Sequence, residues 1–219
     1  MVKYLFIILF FMDAVLNIYA CVPPVKEKLR RPTKCFLMPL LACIYLVSAK
    51  AFSPIVLFGI LCGFAGDVFL LGKEKSWPFA AGLFSFAVGH VLYSVYMWGQ
   101  FGTPPSLVLL LIGAAVYLAG TYGTIRMLWP RMPKMLCPAC TLYMLDISFM
   151  SISALMYALH IGNWLGWMAF VGSLLFVLSD SVLSFSTFRT RIPGRHLIVM
   201  VTYIAAQVML VTSFMLTGV

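Results

Sequence analysis

Along this chain the apolar residues come in long, nearly unbroken runs, and the polar residues collect between them in short stretches rich in Pro, Gly, Lys and Arg. In windows of roughly 19 residues the runs fall near positions 2–21, 35–50, 52–72, 77–98, 105–124, 135–158, 163–186 and 197–217. At about 1.5 Å of rise per residue, each crosses or nearly crosses a hydrocarbon core of ~30 Å, the second run being the shortest. The pattern predicts an all-α, polytopic membrane protein: eight transmembrane helices in one bundle, forming a single transmembrane domain over residues 1–219. The connections are too short for a soluble domain, so function is expected in or beside the membrane. No repeat of fixed period is visible.

Composition reinforces this reading. The chain is 63% hydrophobic and 10% charged, against about 45–50% apolar and about 25% charged in soluble domains, and its mean hydropathy is +1.04. A net charge of +9 would point to nucleic acid in a soluble protein, but here the positions of the charges explain it. Lys26, Lys28, Arg30, Arg31 and Lys34 follow the first run; Lys73 and Lys75 the third; Arg126, Arg131 and Lys134 the fifth; Arg189, Arg191 and Arg195 the seventh. Thirteen of the fifteen basic residues therefore share one side of the membrane, and only Lys3 and Lys50 take the other. The positive-inside rule makes the basic loops cytoplasmic and puts both termini on the non-cytoplasmic side. Membrane lipids are the expected surroundings, and no nucleic acid partner is expected.

The first run ends Ile18-Tyr19-Ala20-Cys21, which superficially resembles a signal-peptide or lipoprotein site. Asp13 and Asn17 interrupt it and the basic flank follows it, so a transmembrane helix is the better reading. Cys137-Pro-Ala-Cys140 has CxxC spacing, but no second pair or histidine cluster accompanies it, and it reads as packing.

Four of the six acids, Asp13, Asp67, Asp146 and Asp180, fall inside predicted spans. An ionisable group in hydrocarbon is costly and marks function by default. Gly59, Gly63, Gly66 and Asp67 share one helical face, where small side chains let a neighbour approach while the carboxyl stays at the interface. Ser173, Asp180, Ser184 and Thr187 form a polar stripe on the seventh helix. Counted back from the following basic loops, both aspartates lie roughly 8–11 Å inside the same leaflet, a depth that allows one shared cavity. Asp13 and Asn17 sit at similar depth. His90 and Tyr93 on the fourth helix, Tyr143 and Asp146 on the sixth, and Tyr203 and Gln207 on the eighth are further polar candidates.

Three strings carry a resemblance: Gly66-Asp67-Val-Phe-Leu70; Phe79-Ala-Ala-Gly82-Leu-Phe-Ser-Phe86-Ala-Val-Gly-His90-Val-Leu-Tyr93; and Phe176-Val-Leu-Ser179-Asp180. With Thr33-Lys34, Pro39, Pro138, Tyr143, Met150, Tyr203 and Gln207, they resemble the YhhN-like lysoplasmalogenase family over nearly the whole length. Cys35 departs from it, standing where a proline commonly follows the Thr-Lys pair. The resemblance implies an eight-helix hydrolase without cofactor or metal. Its substrate would be a lysophospholipid, a lysoplasmalogen whose vinyl ether bond is cleaved to a fatty aldehyde and a glycerophospho-ethanolamine or -choline. An enol ether is hydrolysed by protonation of its β-carbon, giving an oxocarbenium ion that water captures. That chemistry parallels glycoside hydrolysis by two carboxyls. Asp67 and Asp180 are expected to be proton donor and cation-stabilising carboxylate, in either order. Asn17, Lys34, His90, Tyr143, Tyr203 and Gln207 are expected to line the cavity, with Lys34 reaching the lipid phosphate.

The chief alternative is a proton- or cation-coupled small transporter using the same aspartates. A zinc hydrolase of the ceramidase kind would need several histidines to converge, and His90, His160 and His196 fall at different membrane levels.

Overall fold

The computed structural model describes residues 1–72 and 76–217. Lys73, Glu74 and Lys75, and with them the expected placement of that basic loop, lie outside the described residues. Eight long helices occur among the described residues: α1 (Val2–Cys21), α2 (Glu27–Ser48), α3 (Pro54–Leu71), α4 (Ser76–Trp98), α5 (Leu107–Leu128), α6 (Cys137–Ile161), α7 (Trp164–Phe188) and α8 (Arg195–Thr217), with a short 3-10 turn at Trp129–Arg131.

Local chemistry sets the boundaries. Pro54 opens α3 at a position whose missing N–H costs nothing. The Asn163 side chain caps α7, its Oδ1 accepting from the backbone N–H of Leu165 at 2.9 Å. Gly162 ends α6 with φ +67°, the left-handed conformation a side chain would resist.

One boundary differs from expectation. The second helix begins at Glu27, not near 35, so Lys28, Arg30, Arg31 and Lys34 are helical residues and not loop residues. A hydropathy window scores those charged turns as polar connection, yet their spacing is compatible with a helix. α5 likewise extends to Leu128, carrying Arg126 with it. Seven of the helices, all but α2, are long and apolar enough to cross a membrane.

Packing contacts run α1–α2–α3–α4–α6–α7–α8 and back to α1, a closed ring of seven helices. α5 stands outside that ring and takes its packing from α6. Its outer residues, among them Leu111, Ile112 and Leu118, are exposed, as are Phe11, Met12 and Val15 of α1. Such an apolar exterior suits lipid. Inside the ring, Phe86, Tyr93, Met150, Tyr157, Phe176, Tyr203 and Phe214 are buried. The close α3–α4 contact depends on glycine: a Cβ on Gly66 would lie 2.6 Å from the Phe86 ring, and one on Gly89 would lie 3.1 Å from the Gly59 carbonyl oxygen.

Candidate active site

α3 and α7 bring Asp67 and Asp180 to the same cavity, at the end of the ring where α2 begins and α8 starts. Asp67 is 1% exposed and Lys34 11%; the Lys34 Nζ lies 3.0 Å from Asp67 Oδ1. The Tyr203 hydroxyl donates to Asp67 Oδ2 at 2.8 Å. Both Asp67 oxygens are thus engaged, one by an ammonium and one by a phenol. Asp180 accepts from the Tyr143 hydroxyl through its Oδ2. The two carboxyls share a cavity but have different company.

Phe86 and Tyr203 line the cavity, and further aromatic rings pack behind them outside its lining. Phe176 packs edge-on to Tyr203 at 5.5 Å between centroids and to Phe86 at 6.3 Å. His90 lies edge-on to Phe176 at 4.7 Å and beside Tyr143 at 5.6 Å. Its Nδ1 is 3.0 Å from Asp146 Oδ2, while its buried Nε2 has no hydrogen-bond partner among the described residues. His90, expected to line the cavity, lies outside its lining.

The remaining expected site residues are placed differently. Lys34 is drawn inward onto Asp67, so its ammonium is already engaged. Asn17 lies outside the cavity lining: its Nδ2 donates to Thr33 Oγ1 at 2.9 Å and to the Arg30 carbonyl at 3.2 Å. That pair of bonds fixes α1 to the turn of α2 that presents Arg30 and Lys34. Gln207 also lies outside the lining and accepts from Tyr93 at 3.1 Å.

Cavity residues that sequence reasoning assigned to topology are Arg30 and Arg195 at its polar end, joined by Ser179, Ser186 and His196, the last weighed in the sequence only as a zinc ligand. Glu27 holds the Arg30 guanidinium in a fork with contacts of 2.7 and 3.2 Å. Arg195 donates to the Ser186 carbonyl at 3.2 Å. The spacing of Arg30 one turn before Lys34 on a helix would have placed it beside Asp67's partner, had the helix start been recognised. The cavity is small, about 50 Å³, room for a few waters. No group of three or more His, Cys, Asp or Glu side chains able to hold a metal occurs among the described residues.

The chain is 36% identical over 154 residues to the lysoplasmalogenase TMEM86B of Sus scrofa and 34% identical over 156 residues to that of Homo sapiens. In both cases the match covers 70% of this chain and 60% of the relative, so it spans about three fifths of those enzymes' length. An uncharacterized membrane protein YhhN of Escherichia coli O157:H7 is 28% identical over 176 residues, 76% of each chain. No solved structure matches. The family model for the YhhN family matches residues 29–214, a stretch that contains both aspartates, their phenol partners and Lys34; the chain belongs to the YhhN family.

Proposed function

We propose that this protein is a membrane-embedded hydrolase that cleaves the vinyl ether bond of lysoplasmalogens by aspartate acid–base chemistry. The observation that carries the reading is the meeting of Asp67 and Asp180 in one cavity with dissimilar partners. The names of the mammalian relatives support the substrate class. An ammonium 3.0 Å from Asp67 favours a fixed negative charge there, so Asp67 is the carboxylate that stabilises the developing cation. Asp180 is the proton donor: Oδ2 accepts from Tyr143, leaving Oδ1 to carry the proton.

The steps balance without an added reagent. Asp180 delivers its proton to the β-carbon of the enol ether, and the C=C electron pair forms that C–H bond as the ether oxygen shares its lone pair. Water adds to the oxocarbenium carbon and gives up a proton to the site, restoring the acid. The resulting hemiacetal gives up its hydroxyl proton to the site as its bond to the glycerol oxygen breaks and that oxygen takes up a proton, releasing aldehyde and alcohol. His90, oriented by Asp146 and packed beside Tyr143, supports the ring that holds Asp180. Arg30, Arg195 and His196 receive the phosphate, the task that Lys34 gives up by binding Asp67.

In the membrane, we take α2 as an eighth span. Its start is tied to the inner part of α1 by Asn17, and just past its end the Lys50 backbone N–H donates to the Met215 carbonyl near the C-terminal end of α8. It therefore runs between the two ends of the bundle. With eight spans the basic end is cytoplasmic and both termini lie on the opposite side.

Purified protein supplied with a lysoplasmalogen and with its saturated ether analogue provides the test. Wild type releases aldehyde from the unsaturated lipid only, and Asp67→Asn and Asp180→Asn each lose at least 10²-fold in kcat while still inserting. Equal turnover of the saturated analogue, or normal kcat in either variant, would refute the proposal.

A further inference from the structure

The polar cavity poses a problem of space. At about 50 Å³ it accommodates a few waters beside the two carboxyls, and a long hydrocarbon chain has no room in it. A second cavity, of about 270 Å³, begins at the same aspartate: Asp180 lines both. This groove lies between α5, α6 and α7, with Val116, Gly120, Met144, Ile147 and Val177 among its walls. It exists because α5 packs outside the ring on α6, so the space between α5 and α7 stays open to the side.

Its direction matches that of a lipid lying in the inner leaflet. From Thr124 to Val116 the groove climbs α5 for about 12 Å, away from the basic end and toward the middle of the bundle. Hydroxyl bonds tie the helices along it: Thr121 to Ser148 at 3.0 Å between α5 and α6, Tyr117 to Ser151 one turn deeper, and Ser151 to Ser173 at 2.8 Å between α6 and α7. A lipid whose phosphate meets Arg30, Arg195 and His196 would carry its first chain atoms past Asp180 and into this groove.

We infer that the groove between α5, α6 and α7 binds the hydrocarbon chain of a single-chain phospholipid, with Asp180 at the junction of chain and headgroup. This rests on the reading of the polar cavity as the site of lysophospholipid hydrolysis. It makes Gly120 a determinant of chain acceptance, because a side chain there projects into the groove. A Cβ added at Gly120 meets no atom within 4 Å, and the same holds at Gly123, which lies on the same helix outside the groove lining. The first side-chain atom meets open space at both positions and leucine is favoured over glycine in a helix, so the pair separates blockage from damage.

The experiment uses the full chain in nanodiscs, a long-chain lysophosphatidylethanolamine bearing a mid-chain diazirine, and long- and short-chain lysoplasmalogens. We expect the label on groove residues of α5, α6 or α7. Gly120→Leu should lower labelling, and kcat/KM for the long-chain substrate, by about tenfold or more, with a smaller loss for the short chain. Gly123→Leu should behave as wild type. Labelling that depends on Gly120 in a protein that cleaves no vinyl ether would uphold the groove while defeating the hydrolase reading. Labels elsewhere, equal effects of the two leucines, or displacement of the probe by diacyl lipid as readily as by lysolipid would overturn the inference.

Discussion

At the level of single side chains, the two aspartates are distinguished by what holds them. Asp67 is clamped by an ammonium and a phenol, and Asp180 by the Tyr143 phenol. Once Asp180 has given up its proton its carboxylate still accepts from Tyr143, and since a hydrogen bond to a charged group contributes about 1.5–3 kcal/mol, loss of that bond appears in kcat. Tyr143→Phe should therefore lower kcat by about 10- to 100-fold with little change in KM, as read by steady-state aldehyde release. An unchanged kcat would remove Tyr143 from proton delivery. The aspartates were legible in the sequence because an acid in hydrocarbon has few explanations. The His90–Asp146 contact was not, since it joins helices 56 residues apart and each polar residue taken alone reads as an ordinary interhelical bond. Arg30 and Arg195 were obscured for another reason: the positive-inside rule accounts for a cytoplasmic arginine whether or not it also binds phosphate.

The helices themselves were readable to within a few residues wherever an apolar run met a Pro, Gly or Asn boundary. They were misread at α2, where a charged turn is helical but fails a hydropathy window. Which helices touch was less accessible. α5 is apolar over most of its length, and lipid and protein look alike to such a face, so the few polar residues that meet α6, Tyr117 and Thr121, do not by themselves reveal its position outside the ring. The α3–α4 pair did leave a mark, in its glycines. Gly89→Ala would set a methyl 3.1 Å from the Gly59 carbonyl oxygen and 3.4 Å from Cys62 Cβ, and the first of these contacts is backbone that cannot rotate away. Overpacking of this kind costs about 1–3 kcal/mol, so the variant should unfold at a lower temperature in detergent than wild type. An equal Tm would show that α3 and α4 have slack between them, and Asp67 would then be less firmly placed than its bonds imply.

For the molecule as a whole, the ring closes one end around a basic, carboxyl-lined cavity and leaves a laterally open groove between α5, α6 and α7 beside it. Charge is concentrated where a phosphate would sit and apolar wall where a chain would lie, and Asp180 stands between them. If Asp180 donates its proton to carbon, solvent hydrogen must end up in the product at a defined atom. Hydrolysis of a lysoplasmalogen by the purified protein in D₂O, with the aldehyde reduced as it forms and analysed by mass spectrometry, reads that atom. A single deuterium on the carbon next to the former carbonyl is the expected result, beyond any introduced by the reductant. Product without deuterium at that carbon would mean that the enol ether is not opened by carbon protonation, and the roles given to the two carboxyls would be wrong.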